Sequence, residues 1–195
     1  MRAFNTLLVF TLFSFQINFS QESIVIPEPE FNSRPYYLSN GELISLERAD
    51  ATADIRVKGL GWGGSEFFHM AFGAKSTTRF NNGDFPRIFI KVEGNLDLKE
   101  LITILKEDTS KKKKKKFRNR RRFKQMSYAM GGRARDVSDN EVPFSVKKIR
   151  ENLYEIVFDN VLLSGEYAVM PISTENGDIL SMAYSKTKIS CFGID

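Results

Sequence analysis

Eleven of the fourteen residues in KKKKKKFRNRRRFK, positions 111–124, are lysine or arginine. The chemistry open to such a run is polyanion binding: arginine forks grip phosphate or carboxylate bidentately, and lysines add point charges. If 112–124 is extended, every even position is a cation: Lys112, Lys114, Lys116, Arg118, Arg120, Arg122 and Lys124. Phe117 and Phe123 then fall on the other face. Such a strand presents one cationic ribbon, its charges about 6.6 Å apart, with two aromatic anchors behind it. A helix fits worse, because successive lysines repel along every face. A competing reading needs no ligand. The run is then the solvated tip of a hairpin spanning 106–130, and its lysines block edge-to-edge association.

Other chemistries find less support. The sequence holds one histidine, His69, and one cysteine, Cys191. That excludes an internal disulfide and is too few side chains for an ordinary structural zinc site. A His69–Cys191 dyad has no supporting spacing, and no G-x-S-x-G elbow places a serine nucleophile. GLGWGG at 59–64 carries the G-x-G-x-x-G spacing, but a strand pattern, SEFFHMAF, follows it where a dinucleotide site needs a helix. A glycine-rich hairpin or bulge is expected there, with Trp62 in it, and no nucleotide cofactor. DVSDNE at 136–141 offers oxygen ligands without the EF-hand spacing. No metal or other cofactor is expected. The 24 acidic residues leave a carboxylate hydrolase open without nominating a pair.

The elements that must position these residues begin with the N-terminus. MRAFNTLLVFTLFSFQINFS has a cationic start at Arg2, an apolar stretch from Ala3 to Phe15 and a more polar end, which predicts a signal peptide cleaved after Ser20. The apolar stretch is shorter than the ~20 residues that span a bilayer, so the cleaved product is expected to cross no membrane. Export, to the periplasm or beyond the cell, removes the protein from the genome. The basic run is thereby turned away from DNA and toward lipopolysaccharide, phospholipid phosphates, acidic polysaccharide or released nucleic acid. The run's +11 against a formal net charge of +5 leaves the rest of the chain at −6, an acidic protein with one basic insertion.

Residues 21–35, with three prolines, read as an extended lead-in. From 36 to 195 the pattern is period two. Ala53, Ile55 and Val57 alternate with polar residues, as do Phe68, Met70 and Phe72; Ile88, Ile90 and Val92; and Tyr154, Ile156 and Phe158. Further strands are expected at 42–48, 166–170, 179–185 and 188–194. SNG, NNGD, GG and ENGD separate these segments as turns. NLDLKELITILKED is ambiguous; a short turn at 97–100, opened by Asp97, is expected to run into a strand. The fold class that follows is all-β: a single antiparallel β-sandwich or barrel-like domain, with roughly 175 mature residues to form one core without staples.

Leu46-Glu47-Arg48 with Ala51, GAKSTTRF at 73–80, LLSGEYAVMP at 162–171 and the closing CFGID resemble a family of small exported bacterial proteins of uncharacterised function. Members close with a GEYA-type turn and strand and an FGID-type terminal strand. The resemblance implies a secreted β-sandwich-like domain and brings no active site. In residue terms, Gly165 supplies a turn conformation, Tyr167 and Val169 share a face of the next strand, and Glu166 is expected as a surface or turn-capping carboxylate. The functional expectation is a non-enzymatic binding or structural domain acting through a protein or cell-envelope partner. A polyanion binder using 111–124 and a secreted hydrolase are the alternatives.

Overall fold

The alternating segments form strands because their apolar rows meet across two sheets. The computed structural model describes residues 25–58, 64–94, 97–111, 118–128, 134–137, 139–172 and 186–195. The segment expected to be a signal peptide, Trp62, Lys112, Lys114, Lys116, Phe117, the turns expected at GG and ENGD and the strand expected at 179–185 lie outside the described residues.

The first sheet contains β1 (Pro35–Ser39), β2 (Glu42–Ser45), β6 (Ile88–Lys91), β10 (Phe144–Arg150) and β11 (Leu153–Phe158), in the order β10-β11-β6-β1-β2, all antiparallel. The second contains β3 (Glu47–Val57), β4 (Ser65–Phe72), β7 (Ile102–Lys106), β8 (Arg120–Tyr128), β9 (Ala134–Val137), β12 (Gly165–Pro171) and β13 (Lys186–Ile194), in the order β7-β12-β13-β3-β4-β8-β9. The two-residue β5 (Arg79–Phe80) pairs parallel with the end of β13. The lead-in docks through Ile26, which is buried with Phe89 and Leu153.

Strand parity divides the second sheet into two apolar faces. Ile104, Tyr167, Val169, Phe192 and Ile194 pack against Ile88, Ile90, Ile156 and Phe158 of the first sheet, making a sandwich core. The opposite face carries Ala51, Ala71, Leu105, Phe123, Ala168, Met170, Ile189 and Cys191. Several of these are small, which leaves the sheet room to bend toward that face. A bridge between Glu107 and Phe123, and a 2.7 Å hydrogen bond from Asp108 N to Arg122 O, bring β8 back to the end of β7. The sheet is therefore a curled half-barrel with its own interior.

The ambiguous segment resolves as expected. A four-residue helix, α1 (Leu98–Leu101), has Asp97 as its cap, the carboxylate accepting from Lys99 N at 2.9 Å, and it runs directly into β7. Two expectations are corrected. β7 and β8 are not hairpin partners along their lengths: β7 pairs with β12 and β8 with β4, and the curled sheet brings only the end of β7 to β8 where a local hairpin was expected. SEFFHMAF is also not half-buried. Residues 66–71 are buried on both faces, and it is Phe72, expected to point inward, that is 61% exposed.

Candidate functional site

The two apolar faces each give way to polar residues at one end, and those ends are the places where chemistry or binding can occur. On the sandwich face, the row Ile194, Phe192 of β13 continues as Ser190 and Lys188, while Leu46 is followed two residues later by Arg48. Ser190 pairs with Arg48 in register. The sheets lose their apolar contact there and a cleft of about 340 Å3 opens between them. Its floor is Ile90, Val92, Leu98, Ile102 and Val169, and Ser33, Arg34, Arg48, Lys188 and Ser190 provide its polar lining. Lys188 is ion-paired with Asp50, whose carboxyl it holds below the usual range through their hydrogen bond. Arg34 lies 4.9 Å over the Phe31 ring, and its Nε is buried with no hydrogen-bond partner. Carboxylates line two other grooves, Glu141 with Asp159, and Glu28 with Glu93 and Glu151. All five are exposed.

On the half-barrel face the polar end is a charged cluster. Arg121, 1% exposed, faces inward beside Phe123 and opposite Ala71. Its Nη2 donates to Glu47 Oε1 at 2.5 Å and to Phe72 O at 2.9 Å. The loop after β4 crosses this end and supplies donors: Ser76 Oγ and Thr77 N reach Glu47 Oε2 at 2.7 and 2.5 Å, and Ser76 N reaches Glu166 Oε2 at 2.7 Å. Arg79 ties Glu166 Oε1, at 2.7 Å, to both oxygens of Asp195. Its guanidinium rests directly on Gly193, where any Cβ would overlap it. Glu166 is thus 4% exposed and bonded on both oxygens, which corrects the surface role expected of it. The segments 46–51, 73–80, 162–171 and 191–195, dispersed in sequence, meet in this cluster.

Burial alone would raise the Glu47 carboxyl, but the bonds from Arg121, Ser76 and Thr77 outweigh it and hold the group below its ordinary 4.5. A carboxylate depressed in the folded state contributes stability that is complete above 4.5 and is lost as pH falls through the folded-state value. Glu66, held low by Lys58 and Lys124 against its own burial, acts with the same sign. The urea midpoint is therefore expected to fall between about pH 5 and pH 3. In Glu47→Gln the same titration should be flatter; an unchanged slope would remove Glu47 from the account.

No family model, curated protein or solved structure matches this chain.

The basic run is partly drawn into the fold. Arg120, Arg122 and Lys124 do share one face of β8, with Phe72, Met70 and Phe68 of β4 opposite them, and Phe123 faces the other way. That face is not an open ribbon. Arg122 is 2% exposed, lies 4.1 Å over the Phe68 ring and approaches Asp108 at 3.6 Å. Lys124 is 3.3 Å from Glu66, and Arg120 sits 4.8 Å over Phe72. Arg118 is exposed. The correction has a physical reason: β4 brings aromatic rings and Glu66 opposite these cations, and neither is near them in sequence.

The nucleophile candidates are kept apart. Cys191 pairs with Glu47 on one side of β3, and His69 pairs with Ala53 on the other. Six residue steps along β3, about 20 Å of strand, separate the two positions. Burial pushes the Cys191 thiol up to about 12, and burial lowers His69, whose Nε2 meets Gln125 Oε1 at 2.8 Å. Of GLGWGG, Gly64 is described, and its carbonyl accepts from Lys58 N at 2.8 Å between antiparallel β3 and β4. This is a hairpin connection and not a strand-to-helix phosphate loop. Among the described residues, no three His, Cys, Asp or Glu side chains gather as metal ligands, and no helix is long and apolar enough to cross a membrane.

The cluster and the cleft were both missed in the sequence. For Arg121 a signal existed: it has the same parity as Phe123, so an inward Phe123 carries the arginine inward too. For the cleft, the break from Ile194 and Phe192 to Ser190 and Lys188 marks where apolar contact stops.

Proposed function

We propose that the chain is an exported, non-enzymatic binding domain that engages a cell-envelope component at the cleft between its two sheets. The observation that carries this reading is the cleft itself, an apolar floor joined to a cationic lining. Glu47 and Glu166 are locked by arginine and by the loop over the half-barrel, and Cys191 is buried and disarmed, so the groups best placed for chemistry act as scaffold. A cleft of this size lies at the lower end of the ~300–1,000 Å3 range of small-molecule sites. The leader-like N-terminus and the resemblance to exported proteins support the location.

The test is photo-crosslinking in intact cells. A photoreactive residue at Leu101 or Ile172, on the cleft lining, is expected to give a discrete adduct, and one at Lys147, exposed on β10, is expected to give none. Equal labelling from all three positions would remove the cleft as the working surface.

A further inference from the structure

We propose that the cleft holds a single-chain amphiphile with an anionic head, its acyl chain on the apolar floor and its carboxylate or phosphate between Arg34 and Arg48. This rests on the cleft being the working surface and names the ligand class that fits it. The sign of the head follows from the lining, which contains three cations and no carboxylate. Lys188 is already committed to Asp50. Arg34 and Arg48 make no ion pair with an acidic side chain among the described residues, and the buried Nε of Arg34 has no acceptor. An anionic head that reaches the terminal nitrogens of either guanidinium would take two hydrogen bonds from one planar fork.

The tail follows from the floor and the size. Ile90, Leu98, Ile102 and Val169 offer contact area and no side-chain hydrogen-bonding group, which suits a methylene chain and not a sugar or a peptide backbone. A cleft of about 340 Å3 has room for roughly ten non-hydrogen atoms at ~30 Å3 each. That accommodates one chain of medium length and is too small for a two-chain phospholipid body.

Calorimetric titration of the full chain with decanoate, decyl phosphate, decanol and decyltrimethylammonium, all below their aggregation concentrations, tests this. Both anions should bind, decanol should be weaker by about tenfold or more, and the ammonium should not bind. In Arg34→Gln/Arg48→Gln the anions should lose about tenfold or more while decanol is unchanged. The tighter anion identifies the head, fatty-acid carboxylate or lipid phosphate. Decanol binding as tightly as decanoate, or a double variant that keeps full anion affinity, would overturn the proposal. If the variant does not fold, the comparison of heads on the natural chain still decides. No binding by either decyl anion, with the Leu101 crosslink intact, overturns the ligand class alone; loss of that crosslink overturns the cleft as well.

Discussion

Replacing Arg121 by alanine is expected to destabilise the protein by about 3–5 kcal/mol, read as a lower urea midpoint at unchanged slope. The guanidinium is 1% exposed and is the cationic partner of Glu47 inside the half-barrel. Removing it leaves the Glu47 carboxylate with hydrogen bonds from Ser76 and Thr77 but without its counter-charge. The pair itself contributes much less than breaking it costs. Arg121 Nε and Nη1 are buried without hydrogen-bond partners, so part of the desolvation penalty is uncompensated even in the natural protein. It follows that Arg121→Met/Glu47→Leu, which removes both charges, should be clearly more stable than Arg121→Ala. A double variant as unstable as the sum of its singles would show that the two residues do not act as a unit. Arg118→Ala, at an exposed position of the same basic run, should change stability by less than about 0.5 kcal/mol.

The second large effect lies on the other side of the same sheet. Phe192→Ala should cost about 3–5 kcal/mol, because the ring is fully buried where the two sheets meet. It stacks on Tyr167 with centroids 5.2 Å apart and an 11° interplanar angle, and it meets Phe80 edge-on at 5.8 Å and Phe158 at 6.2 Å. Tyr167 cannot easily follow it into the space left behind, since its hydroxyl is anchored to Leu163 O at 2.5 Å. Phe192→Leu retains most of the volume and should cost roughly 1–1.5 kcal/mol. Denaturant unfolding of both variants against Phe85→Ala, which truncates a 62% exposed ring, separates burial from a general effect of losing a phenylalanine. A Phe192→Ala loss no larger than that of Phe85→Ala would mean that the sandwich core does not depend on this ring.

These two residues also show how far the sequence could be read. Phe192 was legible as part of the strand expected at 188–194; the burial of its own face came from packing against the first sheet. Arg121 was not. The run 111–124 reads as a cationic ribbon because eleven charges dominate it, and the parity of Phe123 with Arg121 is a faint signal against that background. The even face of β8 was assigned correctly as one face, yet its solvent exposure was not, since Phe68 and Glu66 reach it through pairing with β4. The hairpin between β7 and β8 failed for a related reason. Nearest in sequence is a good guess for antiparallel partners in a flat sheet, but a curled sheet takes its neighbours around a ring.

By itself, the sequence determined what depends on the pleat and on local backbone chemistry: period-two strands, the turns at SNG and NNGD, the Asp97-capped helical turn and hence an all-β fold. Tertiary structure alone decided which side of each strand is covered, that Glu47, Arg79, Arg121, Glu166 and Asp195 meet at one end of the half-barrel, and that the sheets part at Ser190 to leave a cleft. The physical reason is the range of the forces. Alternation is set between neighbouring residues, whereas burial and ion pairing are set by strand order, which joins β8 to β4 and β13 to β3 across stretches of chain that no local pattern spans.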